Sequence, residues 1–301
     1  MSFLPIAVLA YALSGGAIII DKILLKTSLP NPLTYAFYIS LLQLLVLLLI
    51  PFGFSLNLGT PAYLAIISGI FYVFALYTFF ASLKKNEASV VGPLVGMLNP
   101  FFTILLGSLF LSQTLTPIQN FAVFILILGA LILTLNIWRN KLQFNRRILW
   151  IITSGLLFAL SYLLLREAFF TLSFLDGLIV SRTSSGLFVL TFLIFPHIKK
   201  QIFTSNKSQQ TVSSKSTLIL LASGQTMGAL SGLLIAYGVK LANPALVNSL
   251  FGIQYLVILT TAIFLAKNRP QLLDETLSKA VITQKVVGAA VLSLGLYLLA
   301  V

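Results

Sequence analysis

The chain contains no cysteine and a single histidine, and only 6 of its 301 residues are acidic. Without cysteine there is no disulfide frame, no thiol nucleophile and no thiolate-bound metal, and the redox compartment is not encoded. The lone His197 follows Pro196 beside Lys199 and Lys200, which is the setting of a solvated loop residue rather than a ligand or proton relay. A histidine-based triad or a hydrolytic metal centre has no raw material, so no cofactor and no enzymatic chemistry are expected. Charge is scarce overall, at 8% of residues against the roughly 25% of an average soluble domain.

What is there is apolar. Hydrophobic residues make up 58% of the chain and the mean hydropathy is +1.04, so a water-soluble fold would have little with which to cover its surface. The net charge of +13 would suggest nucleic acid in a soluble protein. Here the basic residues fall between apolar segments instead of on one face, and a bilayer with anionic headgroups accounts for them better.

About ten segments approach the ~20 residues an apolar helix needs to cross hydrocarbon. The first five run from Leu4 to Leu24, Leu33 to Ile50, Tyr63 to Leu83, Ala88 to Leu111 and Ile118 to Asn136. The second five run from Leu149 to Leu165, Gly177 to Phe195, Thr217 to Val239, Pro244 to Ala266 and Thr283 to Val301. Stretches of the second run echo the first. Because five is odd, two such halves cross a bilayer in opposite senses, which is the inverted-repeat plan of many secondary transporters. The expected fold is therefore an all-α integral membrane protein of two inverted five-helix repeats. The repeats cover residues 1–138 and 148–301 and are joined by a basic connection, 139–147, holding Arg139, Lys141, Arg146 and Arg147. The polar stretch Pro196 to Ser216 reads as a mobile loop, and Gln271 to Lys279 suits either a short interfacial helix or a plain loop.

Basic residues are unevenly shared. The odd-numbered connections hold Lys22, Lys26, Lys84, Lys85, the four between the halves, Lys199, Lys200, Lys207, Lys215, Lys267, Arg269, Lys279 and Lys285; the even-numbered ones hold Arg166 and Lys240. The positive-inside rule then places odd connections in the cytoplasm and both termini outside, in what we read as a bacterial cytoplasmic membrane. The first segment lacks a basic leader and a cleavage site and reads as a retained helix.

From Ala81 to Leu133 the sequence ASLKKNEASVVGPLVGMLNPFFTILLGSLFLSQTLTPIQN continues into FAVFILILGALIL. A helix ends near a small-residue turn, the next helix contains Asn99-Pro100, and a leucine-rich turn leads to a helix with Gly129. The pattern resembles the EamA-type module of the drug/metabolite transporter superfamily. It recurs from Tyr237 to Leu299, where KLANPALVNSL (Lys240 to Leu250) parallels LKKNEASVVGP (Leu83 to Pro93) and Gly288 takes the place of Gly129. Two departures stand out: Gln113 replaces an acidic residue common after the fourth helix, and Asn99-Pro100 faces Leu256-Val257 in the other half. Ten-helix carriers of this type are usually described with cytoplasmic termini, opposite to the charge bias.

Arg182 lies in the polar run from Ser181 to Ser185 within the seventh segment, where the repeat places Phe37 in the second. An ionisable residue at membrane depth is a functional candidate by default. It also lies about 8 Å along its helix, near enough to the end to snorkel outward or to pair with Glu167 or Asp176. The pairs Asp21-Lys22 and Arg166-Glu167 occupy matching positions at the ends of the first and sixth segments, as gating candidates or interfacial anchors. Tyr11, Ser14, Tyr72, Tyr77, Asn99, Tyr162, Ser185, Gln225, Asn248, Gln254 and Tyr255 can supply hydrogen bonds around a mostly apolar cavity or between helices. Gly224, Gly228 and Gly232 align on one helical face, as do Gly92 and Gly96, and serve close packing or a sliding surface.

These features imply alternating-access transport of a small organic metabolite, an amino acid or related anion in the first instance, because a fixed guanidinium suits a carboxylate or phosphate. No carboxylate sits at the centre of a helix for exchange of lipophilic cations. A flippase for lipid or lipid-linked sugar, and a nontransporting scaffold or receptor, are the competing readings. Oligomeric state is not legible.

Overall fold

A computed structural model describes residues 3–55, 59–110, 116–134, 147–204, 214–241, 247, 250–268 and 278–300. Among them we number eleven helices. These are α1 (Phe3–Lys26), α2 (Pro32–Leu42, continued as a 3-10 helix over Gln43–Phe52), α3 (Thr60–Lys85), α4 (Ala88–Phe110), α5 (Pro117–Thr134), α6 (Arg147–Phe169), α7 (Phe174–Leu190, with a 3-10 turn over Thr191–Ile194), α8 (Pro196–Thr204), α9 (Ser214–Leu241), α10 (Gly252–Asn268) and α11 (Lys279–Ala300). Eight are long and apolar enough to span a membrane, and the shorter apolar α5 and α10 complete the set of ten. The fold is an all-α integral membrane bundle of two inverted five-helix repeats.

The repeat is visible in the packing. The α1–α9 contact has its counterpart in α6–α3, α1–α10 in α6–α4, and α5 packs on α11. In that last pair a Cβ added at Gly129 would come within 2.6 Å of Leu292, and one at Gly288 within 2.8 Å of Leu133. The two contacts exchange under the repeat, because Gly129 with Leu133 and Gly288 with Leu292 share one spacing. Close approach through small residues replaces the hydrophobic drive that lipid cannot supply. The symmetry stops at α7, which packs on α3, whereas the equivalent α2 and α9 are not among the packed pairs of described residues.

Helix ends follow local chemistry. Asn31 Oδ1 accepts the Leu33 N–H at 2.9 Å and caps α2. Thr116 and Gln119 form a reciprocal capping box at α5, and Gly53, at φ 111, ends the 3-10 extension of α2 in a left-handed conformation. Pro93 and Pro100 both lie inside α4 without ending it.

Three sequence expectations change. The stretch Pro196 to Ser216 is not one loop, because its first part is α8; Ile198 and Ile202, four apart, share a face, and Ile202 is buried against Phe37, Val73 and Val189. The ninth span is not one unbroken helix from Pro244 to Ala266. Leu250 and Phe251 are turn, and α10 starts at Gly252, where the Phe251 ring fills the space over Gly96. Lys22 and Lys285 are not connection residues: each lies inside a helix and is buried. Most of the connection between the halves and the stretch Gln271 to Leu277 lie outside the described residues.

Candidate functional site

Residues on three helices surround Arg182. Its guanidinium carbon lies 3.9 Å from the centre of the Tyr72 ring on α3, and its charge acts on the Tyr162 hydroxyl of α6. Phe158, one turn before Tyr162, stacks on it with ring centroids 6.3 Å apart and meets Tyr72 edge-on at 5.5 Å. Tyr162 keeps 39% of its surface accessible. Among the described residues no carboxylate pairs with Arg182. Asp176, one sequence candidate for that pairing, instead accepts the Ser55 N–H (2.7 Å), the Ser55 hydroxyl (3.0 Å) and the Ser173 hydroxyl (2.8 Å) at the start of α7. Glu167, the other, makes no side-chain ion pair or hydrogen bond among the described residues.

A hydroxyl zipper holds Arg182 in place. The Ser68 hydroxyl lies 3.2 Å from that of Ser161 and 3.3 Å from that of Ser181, and Ser161 also donates to the Ser68 carbonyl at 2.9 Å. Ser184 donates to the Ile66 carbonyl at 2.8 Å, and Ser185 to the carbonyls of Gly69 at 2.9 Å and Ser181 at 3.1 Å. The approach depends on Gly69, because a Cβ there would meet the Ser181 carbonyl at 2.2 Å. Ser185 is thus occupied in joining α3 to α7. A groove of about 480 Å³, lined by Ile66, Val180, Thr183, Leu187 and other apolar side chains of the α2 extension, α3 and α7, lies on the other side of α7 from Arg182.

At the other end of the bundle, Lys22 Nζ donates to the carbonyls of Leu83 and Asn86, each at 2.7 Å, capping the C-terminus of α3 where the helix dipole favours a cation. Beside it, the Tyr35 hydroxyl donates to the buried Asp21 at 2.5 Å. Lys285 of α11 bonds Glu87 and, at 2.7 Å, the Ser89 hydroxyl at the start of α4. The equivalent positions in the other repeat differ, because Arg166 is exposed and sits 6.0 Å from the Phe170 ring.

An all-α bundle with ten membrane-length or shorter apolar helices, related by an inverted repeat, is the architecture found here, and residues 2–135 match the EamA-like transporter family. Over that stretch the chain is similar to that family. A solved crystal structure is similar over 95% of this chain and 98% of its own, with a TM-score of 0.54 and 17% identity, which shows the shared fold alone. No curated protein matches the sequence. The matched family is one of transporters.

The other sequence candidates that are described have partners of their own. Tyr11 and Phe251 meet edge-on at 5.8 Å, and Gly15 is pressed against the Gln254 carbonyl, so Tyr11 and Gln254 belong to the α1–α10 contact, while Ser14 is half-buried on α1. Tyr255 is buried with Leu259 and Ala289. Tyr77 packs edge-on to Trp150 at 5.9 Å, with Lys85 over the indole. Asn99 is half-buried in α4, where its carbonyl accepts the Thr103 hydroxyl, and Gln225 is half-buried on α9. Asn248 lies outside the described residues. Gly92, Gly96 and Gly224 are packed against side chains, whereas nothing lies within 4 Å of a Cβ placed at Gly228 or Gly232. Sequence reasoning missed Ser68, Ser161, Gly69 and the Lys285–Glu87 pair. Buried hydroxyls within otherwise apolar spans, and a lysine well inside the last span, were the available signals.

Proposed function

We propose that this protein is a secondary transporter of a small organic metabolite bearing an anionic group, amino acids and related anions included, working by alternating access between its two repeats. The observation that carries the reading is the Arg182 guanidinium, held over Tyr72 beside the accessible Tyr162 with no carboxylate among the described residues to neutralise it. A cation at membrane depth is costly, and persists where a ligand completes it. A bidentate guanidinium gives that ligand an orientation as well as a charge partner.

A lipid flippase requires an apolar lateral groove and a basic headgroup pocket together. The groove beside α7 has no cationic residue in its lining, and Arg182 is on the other side of the helix. A scaffold or receptor has no use for an unneutralised Arg182, and no enzymatic role is proposed. By the charge bias, odd connections face the cytoplasm of a bacterial cell and both termini lie outside.

The test is counterflow in proteoliposomes with pooled labelled amino acids, organic acids, sugar phosphates and amines, comparing wild type with Arg182→Ala at equal reconstitution. Anionic or zwitterionic pools carried by wild type and lost by a folded variant support the reading. Amines alone, or equal flux in the variant, refute it.

A further inference from the structure

We infer that the ligand of the Tyr72, Tyr162 and Arg182 site is a monocarboxylate with an apolar body and no ammonium group, and that it reaches Arg182 along one face of α6. The inference rests on the carrier reading above and narrows it.

Charge sets the class. Arg182 is the one cation against Tyr72 and Tyr162 among the described residues, so a phosphate's second charge would have no counterpart there. An ammonium would fare worse, since every acid among the described residues is engaged or turned away. Asp21 takes the Tyr35 hydroxyl, Glu87 takes Lys285, and Asp176 is held by Ser55 and Ser173. Glu167 follows Tyr162 by five residues, which turns it about 140° around α6. A zwitterion would have to desolvate its ammonium without a partner.

Geometry sets the rest. The Tyr72 ring covers one face of the guanidinium and the Tyr162 hydroxyl takes part of its edge, while no carboxylate among the described residues takes the N–H groups that remain for a carboxylate ligand. Phe158 and Phe79, 6.3 Å apart edge-on, extend the aromatic wall for an apolar body. Phe158, Tyr162 and Arg166 recur every four residues and so share a face of α6, and Phe170 follows in the turn beyond its end; the last three are exposed, and Arg166 stands one turn beyond Tyr162. That face offers an anion a second cation on its way in, and no acid.

The experiment is counterflow with 3-phenylpropanoate, phenylalanine and phenyl phosphate, which share a ring and differ in charged group, together with their binding to purified wild type. We expect the carboxylate to move about tenfold faster than either of the others, and Arg182→Lys, which keeps the charge and loses the fork, to lower that flux about tenfold. Arg166→Gln, a change at an exposed position, raises the half-saturating concentration with little change in maximal rate, and the effect shrinks at high salt. Size-exclusion and thermal-unfolding profiles establish that both variants are folded. If phenylalanine or phenyl phosphate moves as fast in an Arg182-dependent manner, the ligand class is wrong and the carrier reading stands. If Arg166→Gln leaves the half-saturating concentration unchanged, the path along α6 is wrong. If none of the three is carried or bound while an anionic or zwitterionic pool moves in the counterflow above, the ligand class is wrong and the carrier reading stands; if no pool moves either, both fall.

Discussion

Arg182 and Lys22 are both cations inside apolar helices, and their surroundings give them opposite meanings. Lys22 is fully buried with its ammonium spent on two carbonyls at the end of α3, so it is a structural cap. Lys22→Met should strand those carbonyls at a cost of about 1–3 kcal/mol, read as earlier thermal unfolding in detergent, with transport by the surviving folded fraction retained. Arg182 has an aromatic face and, among the described residues, no counter-charge. Tyr72→Leu removes a cation–π contact worth about 0.5–2 kcal/mol; it should weaken apparent substrate affinity several-fold in counterflow while unfolding changes less than in Lys22→Met. Arg182 stood out in the sequence because a charge in an apolar run is conspicuous. Ser68 and Ser161 did not, because a hydroxyl acquires meaning only from the partner opposite it, and those partners lie 93 and 113 residues away.

Helices in this bundle meet where side chains are missing. At Gly69 the obstacle to a Cβ is the Ser181 main chain, which cannot rotate aside, so Gly69→Ala should separate α3 from α7, loosen the serine zipper and cost about 1–3 kcal/mol. Gly228→Ala has open space around it and should change stability by less than about 0.5 kcal/mol. Parallel thermal-unfolding measurements on the two variants check the contrast, and equal destabilisation would refute this account of the contacts. Glycine spacing in the sequence marked Gly224, Gly228 and Gly232 as one aligned set. It could not say that only Gly224 is covered, because α9 packs mainly along α1. The same limit hid α8, a short basic segment that becomes a helix because Ile202 finds a pocket among Phe37, Val73 and Val189.

The whole molecule is two copies of one plan turned over, and the proposed orientation follows from which connections carry charge. The absence of cysteine makes it directly measurable. On that orientation a cysteine placed at Thr171 should react with an impermeant maleimide from outside intact cells, and one at Lys199 only after permeabilisation. The reverse pattern would put the termini in the cytoplasm. Two residues in the charge tally, Lys22 and Lys285, prove to be buried within helices, yet the odd connections keep their excess without them. The number of spans, their helical type and the inverted repeat were determined by the sequence alone, because hydrocarbon thickness fixes the length of a span and forces every backbone group into a helix. Only the tertiary structure decided that Arg182 meets Tyr72 and Tyr162, that Ser185 is spent on Gly69, and that Tyr11, Gln254 and Tyr255 lie at a different contact. Apolar spans present nearly interchangeable faces in sequence, and it is the approach of one backbone to another that selects which polar groups meet.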